Sequence, residues 1–235
     1  MDFKIGFSTG TIHKSKTARE AIGEIKALGC KAIELGFVRM SRIEEGQLEE
    51  ILASDLVGFE HVSFHAPKFE YGDNERTFEI FEKIKRIDKL RKLDVVVFHP
   101  DPISDFGVFQ LLDFNVGFEN MDNQKASFQK PEELFKIINQ NSRFSLVLDV
   151  NHIFSNDQTM SLVDGFYSKL EDRISEIHIS GYAGYHEPIF RTQQREIIKA
   201  VRVNRPLIIE SVLDLEDMKQ EMDYIQLNLE GLKIS

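Results

Sequence analysis

Six short apolar segments of this 235-residue chain carry a histidine or a carboxylate at or near their last residue. These side chains are His65, His99, Glu119, Asp149, His178 and Glu210. Charged or ligating groups on apolar segments are costly to bury unless something binds them, and a divalent cation would satisfy the whole set. A mixture of imidazole and carboxylate ligands suits Zn²⁺, Mn²⁺ or Fe²⁺ better than Mg²⁺ or Ca²⁺ alone. The pattern therefore predicts one or more bound divalent metal ions.

Each of these side chains has a simpler explanation when it is taken alone. A single histidine at a strand end is more often a hydrogen-bonded structural residue than a ligand. Asp149 could cap a helix, and Glu210 could pair with an arginine. Six such ends on consecutive segments are difficult to explain separately, so the metal interpretation is the one we favour.

The segments that carry these residues are rich in Val, Ile, Leu and Phe and read as strands. Eight such segments cover residues 3–8, 32–36, 62–65, 95–99, 116–119, 146–149, 174–179 and 207–210. Their near-continuous apolar character is typical of parallel strands whose outer face is covered by helices.

Amphipathic, charged stretches between the strands predict helices over residues 17–28, 74–93, 131–138, 193–201 and 215–227. The first stops before Gly29, a residue type that ends helices, and the third begins at Pro131, which suits a first helical turn. The alternation of strand and helix, without a linker or a break in composition, predicts an α/β fold. We expect a single (β/α)8 TIM barrel that forms one domain over residues 1–235. An open doubly wound sheet is the alternative.

Barrel closure would bring the strand ends together. In such barrels the active site lies at the carboxyl ends of the strands, where the βα loops begin, and neighbouring strands stand about 4.8 Å apart.

Glu34, near the end of the second strand, could contact a substrate there or form a structural ion pair. His13 lies in the first βα loop on the same side, whereas His61 begins the third strand at the opposite end and is expected to be structural. Three cationic side chains in mouth loops that could bind a phosphate or a carboxylate are Lys68, Lys125 and Arg191.

Composition narrows the class of protein. Hydrophobic residues make up 42% of the chain and charged residues 29%, which is typical of a soluble globular domain. The net charge of −10 disfavours nucleic acid as a partner without excluding it. Charges at positions 2 and 4 leave no room for the apolar core of a signal peptide, and we expect no membrane segment. The single cysteine, Cys30, cannot form an internal disulfide, so a cytoplasmic location is the simplest expectation.

At the strand ends the sequence resembles the xylose isomerase-like TIM barrel superfamily. This superfamily includes sugar phosphate isomerases and epimerases and the endonuclease IV type of AP endonucleases (AP endonuclease family 2). The motifs are His-Ala-Pro at 65–67, Phe-His-Pro at 98–100, Phe-Glu-Asn at 118–120, Leu-Asp-x-x-His at 148–152, Ile-His-Ile at 177–179 and Ile-Glu-Ser at 209–211. Each motif is weak alone, but their order and spacing cover essentially the whole chain.

The resemblance implies a shared metal site made by Glu119, Asp149, His178 and Glu210. It also implies that Glu119 and Glu210 act as an acid/base pair on either side of the substrate carbon. One carboxylate would remove a proton next to a carbonyl, and the other would deliver it. His152 would touch the substrate or a further metal and is the third catalytic candidate. The candidate substrate-binding residues are His65, His99, His186 and Glu34.

The endonuclease branch implies a larger metal cluster. There, residues matching His65 and His99 join Glu119 around one zinc, and residues matching His152 and His186 hold another. An aspartate two positions before the second of those histidines completes that branch's cluster, and this chain has a glycine at 184. Three-metal phosphodiester chemistry is therefore in doubt, while a two-metal site stays open.

Three functions follow from these residues. The first is a metal-dependent isomerase or epimerase of a small sugar or sugar phosphate. The second is an endonuclease IV-like phosphodiesterase that acts on abasic DNA. The third is a non-catalytic barrel that retains the metal-binding residues. Relatives in this superfamily are often dimers or tetramers, so a homo-oligomer is a further expectation.

Overall fold

A computed structural model describes residues 4–202 and 204–232 of the chain. Eight strands form a closed barrel in which each strand pairs in parallel with the next, and the eighth pairs with the first. The structure confirms the predicted (β/α)8 TIM barrel and excludes the open sheet. Phe3, the predicted start of the first strand, lies outside the described residues, as do both ends of the predicted domain 1–235.

Strands and helices alternate along the chain. The strands are β1 (Ile5–Ser8), β2 (Ala32–Gly36), β3 (His61–His65), β4 (Val95–Phe98), β5 (Val116–Glu119), β6 (Phe144–Asp149), β7 (Ile174–Ile179) and β8 (Leu207–Ile209). The α-helices are α1 (Ala18–Ala27), α2 (Met40–Glu44), α3 (Ala53–Leu56), α4 (Glu75–Leu90), α5 (Pro131–Ile138), α6 (Val150–Asn156), α7 (Leu162–Leu170), α8 (Ile189–Thr192), α9 (Arg195–Lys199) and α10 (Met218–Leu232). Short 3₁₀ helices cover Phe106–Leu111, Glu171–Arg173 and Leu215–Asp217.

Several element boundaries differ from the sequence-based predictions. β3 begins one residue earlier than predicted, at His61, and β6 begins two residues earlier, at Phe144. β4 and β8 end one residue early, so that His99 and Glu210 are the first residues of the loops that follow. The predicted helix 193–201 is shorter and corresponds to α9 (Arg195–Lys199), because Gln193 takes the left-handed conformation (φ 58°) as the C-cap of the preceding α8.

Two faces of the strands explain where the polar residues lie. Alternate residues of a strand point to opposite faces, so His61, Ser63 and His65 of β3 share one face. The large side chains of the other face, such as Phe64, belong to the main core beneath the helices. Three valines, Val95, Val97 and Val147, form a separate small cluster. The inner face of the barrel is therefore filled partly by small apolar side chains and partly by buried polar ones.

Gly117 on β5 shows how tightly this interior is packed. A Cβ atom at this position would lie 2.7 Å from methyl carbons of both Val95 and Val147. Only glycine fits without displacing its neighbours, which leaves the centre of the barrel free for side chains from the other strands.

Among the described residues, no helix is both long and apolar enough to span a membrane.

Candidate metal centre

Glu119, the last residue of β5, is the hub of the polar cluster. Its Oε1 lies 3.1 Å from His178 Nδ1, and its Oε2 lies 2.9 Å from His99 Nε2 and 3.3 Å from His65 Nε2. The residue is 1% exposed. Burial raises the pKa of Glu119, but the hydrogen bonds with His178, His65 and His99 outweigh it and hold the pKa well below its usual range.

The four residues of the predicted metal site come together at the carboxyl end of the barrel. Glu119, Asp149, His178 and Glu210 each offer one ligand atom, and these atoms all lie within 4.8 Å of one another. His178 Nδ1 faces two of the carboxylates, at 3.1 Å from Glu119 and 3.4 Å from Glu210. Burial opposes ionisation of Glu210, but the charge of His178 outweighs it and lowers the pKa of the carboxyl. The arrangement has the donor types and the proximity that a Zn²⁺- or Mn²⁺-type ion requires.

Asp149 provides the clearest test of whether this set fits a cation. Its Oδ1 accepts a hydrogen bond from the His152 backbone N–H at 2.9 Å and caps α6. Its buried Oδ2 accepts no hydrogen bond within the described part of the chain and lies 3.6 Å from His152 Nε2. Burial raises the pKa of Asp149 to about 7. The capping role expected as an alternative is therefore real, but it uses one oxygen and leaves the other available to a metal.

Asn120 fixes the ends of β5 and β6 beside this site. Its side chain donates to the Asp149 carbonyl at 2.9 Å and accepts from the Asp149 N–H at 2.8 Å. The Asn120 carbonyl in turn lies 2.8 Å from His152 Nδ1. Burial opposes protonation of His152, but Asp149 and Glu119 outweigh it and raise the pKa of the imidazole. The Phe-Glu-Asn motif thus positions Asp149 and His152 as well as supplying Glu119.

Other combinations of the same side chains also approach closely enough to share a cation. They are His65 with His99 and Glu119, Asp149 with His152 and His186, and Glu34 with His65, His178 and Glu210. His186 Nδ1 lies 2.9 Å from the Ser180 hydroxyl, and burial lowers the pKa of this imidazole to about 4. The cluster is therefore large enough for more than one ion.

A cavity of about 300 Å³ opens above the cluster. Glu119 and Glu210 line it, whereas Asp149 and His178, the other members of the four-residue set, do not. The predicted contact residues that line it are His65, His99, His152 and His186. This volume is at the lower end of the range for small-molecule sites.

Cationic side chains are among the residues that line this cavity. They are Arg39, Arg42, Lys68 and Lys125, with His13 beside them. Lys125 Nζ lies 2.7 Å from Asp101 Oδ2, and Lys68 Nζ lies 4.0 Å from the same oxygen. Two of the three predicted mouth cations thus reach the cavity, while Arg191 pairs with Asp217 and does not line it.

Glu34 lies deeper than the sequence indicates. It is fully buried, does not line the cavity and pairs in register with Ser63, two residues below the level of His65. Its Oε2 lies 3.3 Å from His178 Nε2, and burial raises the pKa of Glu34. The strand continues to Gly36, which is why Glu34 falls below the mouth. Its role as a substrate contact stays a prediction.

Glu176 and His61 make contacts that the sequence did not reveal. Glu176 is fully buried and lies between His61 and His178. Both neighbours are histidines of the inner face, one from β3 and one from β7. The signal available in the sequence was the alternation of side chains along a strand. Glu176 and His178 are two positions apart, and His61 and His65 are four positions apart, so the members of each pair lie on the same face.

The comparisons with known proteins agree at the level of the fold. No family model matches the sequence, and no curated protein matches it. Among solved structures, a D-tagatose 3-epimerase-like protein has a TM-score of 0.69 with 18% identity, over 99% of this chain and 100% of that one. D-psicose 3-epimerase from Clostridium cellulolyticum H10 has a TM-score of 0.68 with 11% identity, over 97% and 99%. An IolI protein with a zinc atom has a TM-score of 0.70 with 14% identity, over 97% and 98%.

Proposed function

We propose that this chain, which shares its fold with sugar epimerases, is a metal-dependent isomerase or epimerase of a small sugar or sugar phosphate. One observation carries the proposal. Of the four side chains that converge at the barrel mouth, the two glutamates, Glu119 and Glu210, line the cavity, while Asp149 and His178 do not. Two carboxylates that line one small cavity can act as general base and general acid on a substrate carbon.

A divalent cation would be held by Glu119, Asp149, His178 and Glu210. When bound there, it would supply Lewis-acid stabilisation of the negative charge that develops on substrate oxygens. The unpartnered Oδ2 of Asp149 supports this assignment, because a buried carboxylate oxygen without a hydrogen bond is costly. The zinc in the IolI structure lends support from a protein of the same fold.

The chain's own residues would then carry the proton transfer. The lowered pKa values of Glu119 and Glu210 keep both carboxylates ionised, so either can accept a proton from the carbon next to a carbonyl. The carboxylate that has accepted the proton can return it to the neighbouring carbon, which completes an isomerisation. An epimerisation requires that the opposite carboxylate first take up a proton from solvent through the cavity and that the first carboxylate later release its own to solvent. The raised pKa of His152 leaves it able to donate a hydrogen bond to a substrate oxygen.

The cations of the cavity wall favour an anionic substrate within this class. Four lysine and arginine side chains line the cavity of a protein whose net charge is −10. A phosphate or carboxylate on the substrate would interact with Lys68 and Lys125, while His65, His99 and His186 contact hydroxyl groups. The neighbours named for tagatose and psicose epimerisation support a ketose backbone.

Exchange of substrate hydrogen with solvent tests the proposal. The metal-loaded protein is incubated in D₂O with a panel of ketoses, aldoses and their phosphates, and loss of a C–H signal is followed by NMR. We expect exchange with metal, none after chelation, and a strongly reduced rate with Glu119→Gln or Glu210→Gln. Absence of exchange across the whole panel would count against the proposal and would favour a non-catalytic barrel that retains the metal-binding residues.

A second function, an endonuclease IV-like phosphodiesterase, rests on the additional histidines. The groups His65–His99–Glu119 and Asp149–His152–His186 each bring three ligand atoms together. Gly184 offers no side chain where that branch has an aspartate, which disfavours this function. Metal analysis, combined with a cleavage assay on an oligonucleotide that contains one abasic site, tests this phosphodiesterase function. One ion per chain and no cleavage would eliminate it.

A further inference from the structure

A line of three buried side chains crosses the inside of the barrel. His61 Nε2 lies 2.5 Å from Glu176 Oε2, and Glu176 Oε1 lies 2.9 Å from His178 Nε2. His61 is 5% exposed, and the other two are fully buried. The line joins the amino-terminal end of the barrel, where β3 begins, to the candidate metal centre at the carboxyl end.

The topology makes this contact unusual. β3 and β7 stand opposite each other in the closed order of eight strands, so His61 and Glu176 meet across the interior. They can do so because neighbouring inner positions are small, including Ser63 on β3 and Gly117 on β5. In a barrel filled only for stability, this layer would be occupied by branched apolar residues.

The two nitrogens of His178 face different partners. Nδ1 faces Glu119 and Glu210, whereas Nε2 faces Glu176 at 2.9 Å and, at the longer distance of 3.3 Å, Glu34. A carboxylate that accepts the Nε2 proton leaves the Nδ1 lone pair directed at the site where a cation would be held. A ring rotated away from Glu176 would lose this hydrogen bond, so the carboxylate fixes the orientation of the imidazole.

We propose that Glu176 and His61 are positioning residues of the metal centre: Glu176 orients His178 as a ligand through Nδ1, and His61 holds Glu176 in place. The inference rests on the metal site of the proposed function and extends it by two residues that touch neither cavity nor substrate. Breaking one partner of a buried pair is strongly unfavourable, whereas replacing the whole pair by apolar residues is often neutral. Stability alone therefore gives no reason to retain these three polar groups.

Metal affinity tests this inference directly. Metal-stripped protein is titrated with Zn²⁺ in competition with a chromophoric chelator, for wild type, Glu176→Gln and His61→Gln. Loss of a partner that orients a metal-bound histidine costs about 10- to 100-fold in metal affinity, and we expect that loss for Glu176→Gln. His61→Gln, which acts through Glu176, should lower the affinity in the same direction by a smaller factor.

A matched control separates positioning from general packing. Ser63→Ala changes a buried residue on the same face of β3, whose hydroxyl has no hydrogen-bond partner among the described residues, and should leave the affinity unchanged. The visible spectrum of the Co²⁺-loaded protein adds a signature that packing defects do not produce. We expect the bands to shift in Glu176→Gln and to stay in Ser63→Ala.

Each outcome decides between the two proposals. Wild-type affinity and an unchanged Co²⁺ spectrum in a folded Glu176→Gln protein overturn the positioning role while the metal site stands. Should that variant not fold, wild-type affinity in His61→Gln overturns the positioning role in the same way. A wild-type protein that binds no metal overturns the metal centre itself, and the positioning role with it.

Discussion

Asp149→Asn separates the two roles that Asp149 holds in the structure. Asparagine is as good an N-cap as aspartate, so the hydrogen bond from the His152 backbone N–H is kept. The substitution removes the free carboxylate oxygen that a cation would use. We therefore expect a folded protein that has lost metal affinity, in contrast to Asp149→Ala, which also loses a cap worth about 1 kcal/mol.

The stability of the metal-free protein should also depend on pH, and Asp149→Asn should change that dependence in a known direction. Burial raises the pKa of Asp149 from 3.8 to about 7, so ionising it in the folded state is unfavourable. A raised carboxyl pKa contributes stability that is fully present below the unfolded pKa of 3.8 and is lost progressively as the pH rises to the folded pKa of about 7. Three pKa units correspond to about 4 kcal/mol as an upper bound. Asp149→Asn should therefore gain stability relative to wild type as the pH rises from about 4 to about 7, with no further gain above that range.

A thermal shift assay with and without metal measures both effects. At a metal concentration one hundred times the dissociation constant, binding stabilises the folded protein by about 2.7 kcal/mol. For a domain of this size that amounts to a rise in Tm of about 5–10 °C. We expect the rise in wild type and none in Asp149→Asn. An equal rise in both proteins would show that Asp149 is a helix cap and nothing more, and the reasoning from its free oxygen would be refuted.

Three other predictions concern the cavity and the packing around it. Glu119→Gln and Glu210→Gln should each lower the rate of solvent exchange into substrate by about 10²- to 10⁴-fold, the usual contribution of a positioned acid or base, as followed by NMR. The double change of Lys68 and Lys125 to alanine should raise KM for a phosphorylated substrate and leave KM for its neutral counterpart unchanged; equal effects on both would argue against a phosphate in this cavity. Gly117→Ala should destabilise the barrel by about 1–3 kcal/mol in urea unfolding, because its Cβ would overlap two valine methyls, and an unchanged midpoint would contradict the packing described.

The sequence was sufficient to predict the barrel, because the outward face of each strand is apolar and packs beneath helices. Runs such as Val95–Phe98 stand out at once. The inner face was harder to anticipate, because its polar members interrupt those runs. His61 precedes the predicted strand 62–65 for this reason, and only the alternation of side chains along 174–179 places Glu176 on the same face as His178.

The position of a residue along the barrel axis was the second feature that the sequence did not specify. Glu34 and His65 both stand near the ends of their strands, yet the register places them two residues apart along the barrel axis. Register depends on the pairing of distant segments, which no local pattern specifies. The roles of the individual site residues, the homo-oligomeric state and the cytoplasmic location likewise stay predictions, which mutagenesis, sedimentation and cell fractionation test.

An anomalous difference map from crystals grown with Mn²⁺ tests the central claim most directly. We expect a peak bounded by Glu119, Asp149, His178 and Glu210, with the Nδ1 atom of the imidazole towards it. Crystals in which these four side chains surround no anomalous scatterer, at a concentration of Mn²⁺ that supports activity or saturates binding elsewhere on the chain, would contradict the proposed metal centre.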